Sequence, residues 1–485
     1  MKRILLALLV VLTFVAPALA IDFAFHGDFS NEFRLYSNQS KFFTGDFGYK
    51  TTRTAAIADD TTSDSFATVK YRLWTEAATD DGSIKGVYAV EIGGIHYGDN
   101  SRGGGFSGDG VNIETRWAYT DFALAGGRLK VGLQPVSINK FFWTETATGV
   151  NYKIGNFEAA WYRGYEVYNT SADSNDFKDL DALYVRYNLT PAEGVKVGLF
   201  GVWQTSDGMT SSDIDELEAA EATAAADLAA AELAYNSAPS AVTLEALVAA
   251  QEGLETAEDA VPGSTGNYLK KMTDYDLDLY TLGVDGGLTS GSLFLNWDLM
   301  YQTGDLAEDL DFGGYFAHLD VGAKVGDTKI TYTFWYASGD DDSTDGDYDA
   351  FIATDCDTSG ATSSIVLFEG YTSDNYFSAV PYVQDKGLIL NRVGVDQKVS
   401  DKLTVGVAAL YLMTAEDIEY ATYSEDKIGF ELDAYASYKM YQNLELAIQA
   451  GYLAADDAMD FYEADNDGNA DEDLYIINSK IRYKF

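Results

Sequence analysis

The chain ends Leu474-Tyr-Ile-Ile-Asn-Ser-Lys-Ile-Arg-Tyr-Lys-Phe485. Tyr475, Ile477, Ile481, Tyr483 and Phe485 share one parity, and Asn478, Lys480, Arg482 and Lys484 share the other. A period of two is that of a strand, here with one apolar face and one charged face. The apolar face closes on an aromatic at the last residue.

The other end adds a destination. Lys2 and Arg3 precede an apolar run from Ile4 to Val15, followed by Ala18-Leu19-Ala20. This pattern predicts a secretory signal peptide over 1–20 and a mature chain from Ile21. No Cys lies near that site, which argues against lipoprotein processing. After Val15 no stretch approaches the roughly 20 apolar residues that a membrane helix needs. Export then leads either to a soluble secreted protein or to an outer-membrane barrel, the one β-structure that satisfies its backbone in lipid.

Composition separates the two. The chain has 34 Tyr, 26 Phe and 45 Gly against only 6 Pro, and only Pro135 falls in a candidate strand, near its end. The mean hydropathy of −0.14 is that of a soluble chain, as barrel strands give when every second residue faces water. A lone Cys356 excludes an intramolecular disulfide. The formal charge of −45 makes nucleic acid a poor partner.

The alternation predicts eighteen strands, starting near Phe23, Phe66, Ile84, Asn112, Leu129, Val150, Phe157, Leu180, Val195, Tyr275, Leu293, Gly314, Lys329, Leu388, Leu403, Lys427, Leu444 and Leu474. Losing the hairpin within 139–155 would leave sixteen. Short turns such as Ser290-Gly291, Gly326-Asp327 and Gln442-Asn443 alternate with long connections such as 39–64 and 99–110. That is the organisation of an all-β, antiparallel transmembrane barrel over 21–485, with short periplasmic turns, long external loops and both termini on the periplasmic side.

Two inserts interrupt the rhythm. Within 213–261, Ile214, Leu217, Ala224, Leu228, Ala231 and Tyr235 recur at three and four, as do Leu244, Leu247, Gln251 and Leu254. This predicts an acidic helical hairpin, 212–263, carried on an external loop and packed as a short antiparallel coiled coil. The second insert, 340–385, reads as a long external loop that folds over or into the pore.

With the apolar face of each strand toward lipid, the other face lines the lumen. Leu73, Val131, Val185, Val197, Leu35 and Val393 on the outside predict a basic inner wall of Arg34, Lys70, Arg72, Arg116, Lys130, Arg186, Lys196 and Arg392. Trp117 and Tyr119 are assigned outward by the same rule. Leu277 and Leu279, placed outside, leave Asp276 and Asp278 inside; with Asp298, Asp320, Glu431 and Asp433 they form an acidic wall. Two such walls would set a transverse field favouring polar or zwitterionic solutes.

No metal-ligand spacing surrounds His26, His96 or His318, and no nucleophile motif or nucleotide fingerprint occurs. The expectation is therefore no enzyme, no catalytic residue, no resident metal and no cofactor. Loop Ca²⁺ at 340–349 or at Asp465-Asn-Asp-Gly-Asn-Ala-Asp-Glu472 is the weaker alternative to solvated acidic loops.

The terminal strand resembles the closing strand of bacterial outer-membrane barrels. Their final Phe, with an aromatic two residues earlier, is read by the barrel-assembly machinery, which implies Tyr483 and Phe485 as an assembly signal. Ile428-Gly-Phe-Glu-Leu-Asp-Ala-Tyr-Ala-Ser-Tyr-Lys, with Asn443-Leu-Glu-Leu-Ala-Ile-Gln-Ala-Gly-Tyr452, is similar to the late hairpin of alginate-export-like porins. That resemblance implies eighteen strands and basic lumen residues; resemblance to porins at large implies a homotrimer in outer-membrane lipid. The mixed lumen and the helical insert depart from the alginate pattern. The expected function is passive diffusion of small hydrophilic or ionic solutes across the outer membrane. A surface-interaction barrel with a plugged lumen and a barrel enzyme are the alternatives.

Overall fold

The computed structural model describes residues 21–39, 62–100, 103–105, 113–165, 179–206, 208, 211–239, 241–260, 275–307, 310–342, 345–355, 364–367, 383–419, 424–462 and 473–485. Eighteen strands form the barrel: β1 Ile21–Gln39, β2 Thr62–Thr79, β3 Ile84–His96, β4 Ile113–Leu124, β5 Gly127–Pro135, β6 Thr146–Ile154, β7 Phe157–Tyr165, β8 Leu180–Ala192 and β9 Val195–Ser206; then β10 Leu277–Ser290, β11 Leu293–Leu306, β12 Tyr315–Val325, β13 Thr328–Ala337, β14 Leu388–Lys398, β15 Leu403–Glu419, β16 Ser424–Tyr441, β17 Leu444–Ala455 and β18 Leu474–Lys484. Each strand begins within four residues of its expected start, and the β6–β7 hairpin is present.

All eighteen contacts between neighbouring barrel strands are antiparallel. The last closes the sheet, pairing β1 with β18 from Asp28↔Lys484 to Ser37↔Tyr475. Closure removes the sheet edges, which is what lets a sheet sit in lipid. Short turns gather at one end and long connections at the other. Gly291 and Gly326, both with φ 61, supply the left-handed residue that a tight hairpin turn requires. Two short segments, Leu310–Phe312 and Asp347–Tyr348, pair in parallel at the long-loop end and are not barrel strands.

The outward face carries Val185, Tyr187, Leu199, Leu282, Leu299, Leu432 and Ile477, all exposed. The insert forms two helices, α1 Ser211–Ser237 and α2 Ala241–Ala260, neither of which contains Lys or Arg. Ala224, Leu228, Ala231, Tyr235, Leu247 and Leu254 are half-buried. Leu244 and Gln251 are exposed instead of in the seam, where Thr243 and Ala250 take their places.

Two facing assignments are corrected. In β4, Ala89 pairs with Trp117 but Val90 pairs with Thr115, so Arg116 is an extra residue in a bulge. The bulge shifts the parity and turns Trp117 and Tyr119 inward. Trp117 meets Trp74 edge-on at 5.7 Å, and Lys130 Nζ lies 5.8 Å from the Tyr119 ring centroid. In β10, Leu277 and Leu279 are fully buried, packed with Leu306, Phe312, Tyr348 and Ile352. Their side chains meet loop residues inside the barrel, so the apolar parity is the inner one. Asp278 therefore faces out, where it accepts a hydrogen bond from Trp203 Nε1 at 2.6 Å, and Asp276 precedes the strand on the same alternation.

Candidate functional site: the lumen

The β5–β6 connection, 136–145, folds inward rather than away. Asn139 shapes it: Phe141 N donates to Asn139 Oδ1 at 2.9 Å, and Phe142 and Trp143 N donate to its carbonyl. This local turn aims Phe141, Phe142 and Trp143 into the barrel, where all three are buried. Phe141 packs on Phe316 at 4.8 Å, His318 at 4.7 Å and Trp335 at 4.9 Å.

The β13–β14 connection folds in beside it. Thr354 and Asp355 N donate to Phe142 O, and Thr144 N donates to Asp355 O. Gln302 on β11 holds Ile352 like a neighbouring strand, donating to its carbonyl and accepting from its N–H, each at 2.8 Å. Segment 364–367 buries Ile365, Val366 and Leu367 against the same apolar mass. Two loops thus form one plug, packed on inward Tyr162, Phe200, Met300, Leu390, Leu410 and Leu453.

Most of the acidic residues placed inside hold this plug. Asn139 Nδ2 donates to Asp298 Oδ1 at 2.6 Å, and Asp298 Oδ2 meets His318 Nδ1 at 2.8 Å. His318 Nε2 lies 3.3 Å from Asp320 Oδ1, which accepts from Thr333 Oγ1 at 2.6 Å. Glu431 accepts from Ser364 Oγ and from the N–H groups of Ile365 and Val366. Asp433 lies beside it, also buried.

The basic residues are placed inside too, but they do not make a purely basic wall. Glu91 sits among Lys70 at 2.9 Å, Arg116 at 3.9 Å and Arg72 in direct contact; Arg116 also pairs with Glu145. Arg34 pairs with Glu32 at 2.8 Å. Across the seam, Lys480 meets Glu32 at 3.7 Å and Arg482 clasps Asp28. Lys130 lies opposite Asp121 in the β4–β5 register. Arg186 clasps Asp285 with contacts of 2.8 and 2.5 Å and donates to Ile138 O of the inward loop. Lys196 lines a pocket of about 470 Å³ with Arg186, Asn188, Asp285, Asn296 and Asp298. Arg392 lies beside Tyr435, whose hydroxyl donates to Asp396.

Alternation alone does not single out Glu145, Asp285 or Asn139. Glu91 was findable, because Tyr88, Val90 and Ile92 put it on the polar parity of β3. Asp285 was hidden by the inverted parity of β10.

At the long-loop end, Asp340 is held by burial and by the nearby Asp385 and Asp345 at a raised pKa of about 6. Burial and Asp347 raise Asp349 as well. Among the described residues, no group of three His, Cys, Asp or Glu side chains is placed to hold a metal ion. The acidic run 465–472 lies outside the described residues.

No family model and no curated protein matches the chain. Solved structures do match its fold. OpdL from Pseudomonas aeruginosa is similar with a TM-score of 0.51 at 10% identity, covering 96% of this chain and 99% of that one. A BenF-like porin from Pseudomonas fluorescens Pf-5 gives 0.51 at 10% identity, covering 96% and 98%. OccK9 (OpdG) from Pseudomonas aeruginosa gives 0.50 at 12% identity over 96% and 98%. At these identities the likeness is one of fold: a closed, eighteen-stranded antiparallel barrel.

Proposed function

We propose that this chain is a bacterial outer-membrane porin through which small hydrophilic or ionic solutes diffuse passively. One observation carries the reading. The apolar plug fills the side of the lumen bounded by β6 to β17 and reaches Leu474 and Ile476 at the long-loop end of β18, while the opposite wall keeps charged side chains in contact with water. Lys70 is 45%, Arg72 30% and Lys480 37% exposed, against 8% for the Glu91 carboxylate between the first two. A polar path between that wall and the plug suits small water-soluble solutes and presents cations at its edge. In this reading the long loops are external, the short turns periplasmic, and Tyr483 and Phe485 are what the assembly machinery recognises. A homotrimer is the assembly that the porin resemblance implies. The alginate-export expectation rests on 428–452 alone, and the structural neighbours named above do not support it.

The stitched plug is also what a surface-interaction barrel with a closed lumen would need, and conductance separates the two readings. For the enzyme alternative, both ring nitrogens of His318 face carboxylates, which leaves no free nitrogen to activate a nucleophile. The porin reading is tested by changing Lys70, Arg72 and Arg116 together to Gln and recording reversal potentials in a salt gradient. The expected shift is toward cation preference, by about 10 mV or more. An unchanged potential would place the conducting path elsewhere.

A further inference from the structure

The first inward loop meets the wall at a histidine clasped between two carboxylates. His318 is 3% exposed and projects inward from β12. Its Nδ1 lies 2.8 Å from Asp298 Oδ2 on β11, and its Nε2 lies 3.3 Å from Asp320 Oδ1, two residues further along β12. A neutral imidazole has one N–H and one lone pair, so it donates to only one of the two. In either tautomer the lone pair would face the other carboxylate. Only the imidazolium donates to both, and only it leaves the three groups with one net negative charge instead of two. The geometry is that of the doubly protonated ring.

The charged groups around the clasp do not replace that proton. Lys140 of the inward loop bears on the ring with like charge, but it is exposed, with Nζ 4.3 Å from the Phe141 ring centroid, and water screens it. On β10, Asp285 lies across from Asp298 and is clasped by Arg186 of β8. On β13, Trp335 lies across from His318, and Thr333 donates to Asp320 at 2.6 Å. Arg392 of β14 lies across from Thr333 and reaches toward Tyr435. The loop itself rests on the clasp. Asn139 Nδ2 donates to Asp298 Oδ1 at 2.6 Å, and the Phe141 ring packs on the imidazole at 4.7 Å. The Asp320 side chain is 23% exposed and gives the proton a way out to lumen water.

We propose that His318 is the positioning residue of the plug: a buried imidazolium that latches segment 136–145 onto β11 and β12, and whose deprotonation lets that segment back away and widens the polar path. The effect on permeation rests on the porin reading above; the latch itself does not.

The purified full-length barrel is compared at about pH 5.5 and about pH 8.5, which bracket imidazole titration in most proteins. Amide exchange over 136–145, corrected for the intrinsic rate, reads the latch, and single-channel conductance in a planar bilayer reads the path. Exchange should be at least about fivefold faster at the higher pH. Conductance should rise reversibly by about half over the same step. His318→Gln should show the fast exchange and the larger conductance at both pH values. Asp320→Asn should do the opposite, with slow exchange at both, because a neutral ring can then donate to Asp298 and accept from the new amide. Asp340→Asn, on the other inward loop, should leave the step over 136–145 in place. Exchange over 136–145 that ignores pH in the parent would overturn the proposal, even if His318→Gln loosens the loop. A step that survives His318→Gln or Asp320→Asn would overturn it too. Open channels whose conductance ignores pH while exchange responds would overturn the claim that the latch sets the path. The exchange step without current at any pH would support the latch and sink the porin reading instead.

Discussion

At the scale of single residues, the seam shows how small a feature closes the barrel. Gly27 N donates to Phe485 O at 3.0 Å, and Phe485 N donates to Gly27 O at 3.1 Å. A Cβ on Gly27 would lie 2.4 Å from Cε1 of the Phe485 ring. The terminal ring therefore rests on bare backbone, flanked by Phe29 at 5.6 Å and Tyr483 at 5.4 Å. On the inner face of the same seam, Arg482 and Lys484 meet Asp28. Gly27→Val should displace the ring and cost about 1–3 kcal/mol of barrel stability, the usual range for overpacking. Gly27→Ala should cost less, because the ring can tilt. Heat-modifiable mobility and urea midpoints of the two variants provide the check; equal midpoints for Gly27→Val and the parent would contradict the socket.

At the scale of elements, the inward β13–β14 connection carries a pH dependence with a definite sign. The pKa of Asp340 is raised in the folded loop to about 6, from an ordinary value of 3.8. The folded loop thus binds the proton more tightly than the unfolded chain, and its stability falls as pH rises between those two values. Lowering the pH from 7 to about 5 should tighten the loop, read as slower amide exchange over 338–355 after correction for the intrinsic rate. Asp340→Asn should weaken that dependence, leaving the part carried by Asp349 and Glu416, whose pKa values burial and neighbouring carboxylates also raise. A loop equally protected at pH 5 and pH 7 in the parent would refute it.

The helical hairpin is the opposite kind of element, exposed and self-contained. Its half-buried residues face each other across α1 and α2, and its acidic side chains have no basic partner within it. Deleting 212–263 and joining the ends with a short Gly/Ser linker should change the yield of heat-modifiable barrel by less than about twofold. Loss of folded barrel would show that the hairpin templates the fold.

How far the sequence could be read follows from these elements. A two-residue period reports the contrast between the two media that a strand separates. Along β8, Val185 and Tyr187 meet lipid and Arg186 meets the lumen, so the rule holds. Along β10 it fails, since Leu277 and Leu279 meet a plug made of residues some thirty to seventy positions later. Nothing local to β10 announces that contact. In β4 one inserted residue at Arg116 reverses the parity of Trp117 and Tyr119 without changing the composition of the strand. The anchors Asn139, Asp298 and His318 are each unremarkable in sequence and become a unit only when two loops turn inward. Barrel, strand order and helical insert are set by local periodicity and were legible, and the entry of 340–385 into the pore was one of the two courses its length and position allowed; the inward turn of 136–145 and the side chains that both loops meet are set by tertiary contacts and were not.

At the scale of the whole molecule, the account is a division of the lumen. One side is apolar, packed and anchored by buried carboxylates; the other is lined by paired charges whose cationic ends meet water. The outside is a lipid-facing surface of Leu, Val, Tyr and Phe, and the net charge of −45 lies on a chain whose long connections and helical insert are acid-rich. Such a field at the long-loop mouth would be screened over about 10 Å at 0.1 M salt, so ion preference should depend more on the inner wall than on the loops as salt rises. The most direct test is the current through single barrels of the purified protein in a planar bilayer. Steady ohmic steps, small relative to an unobstructed eighteen-stranded pore and present at all moderate voltages, are the predicted result. A correctly folded, heat-modifiable barrel that inserts and stays electrically silent would contradict the account.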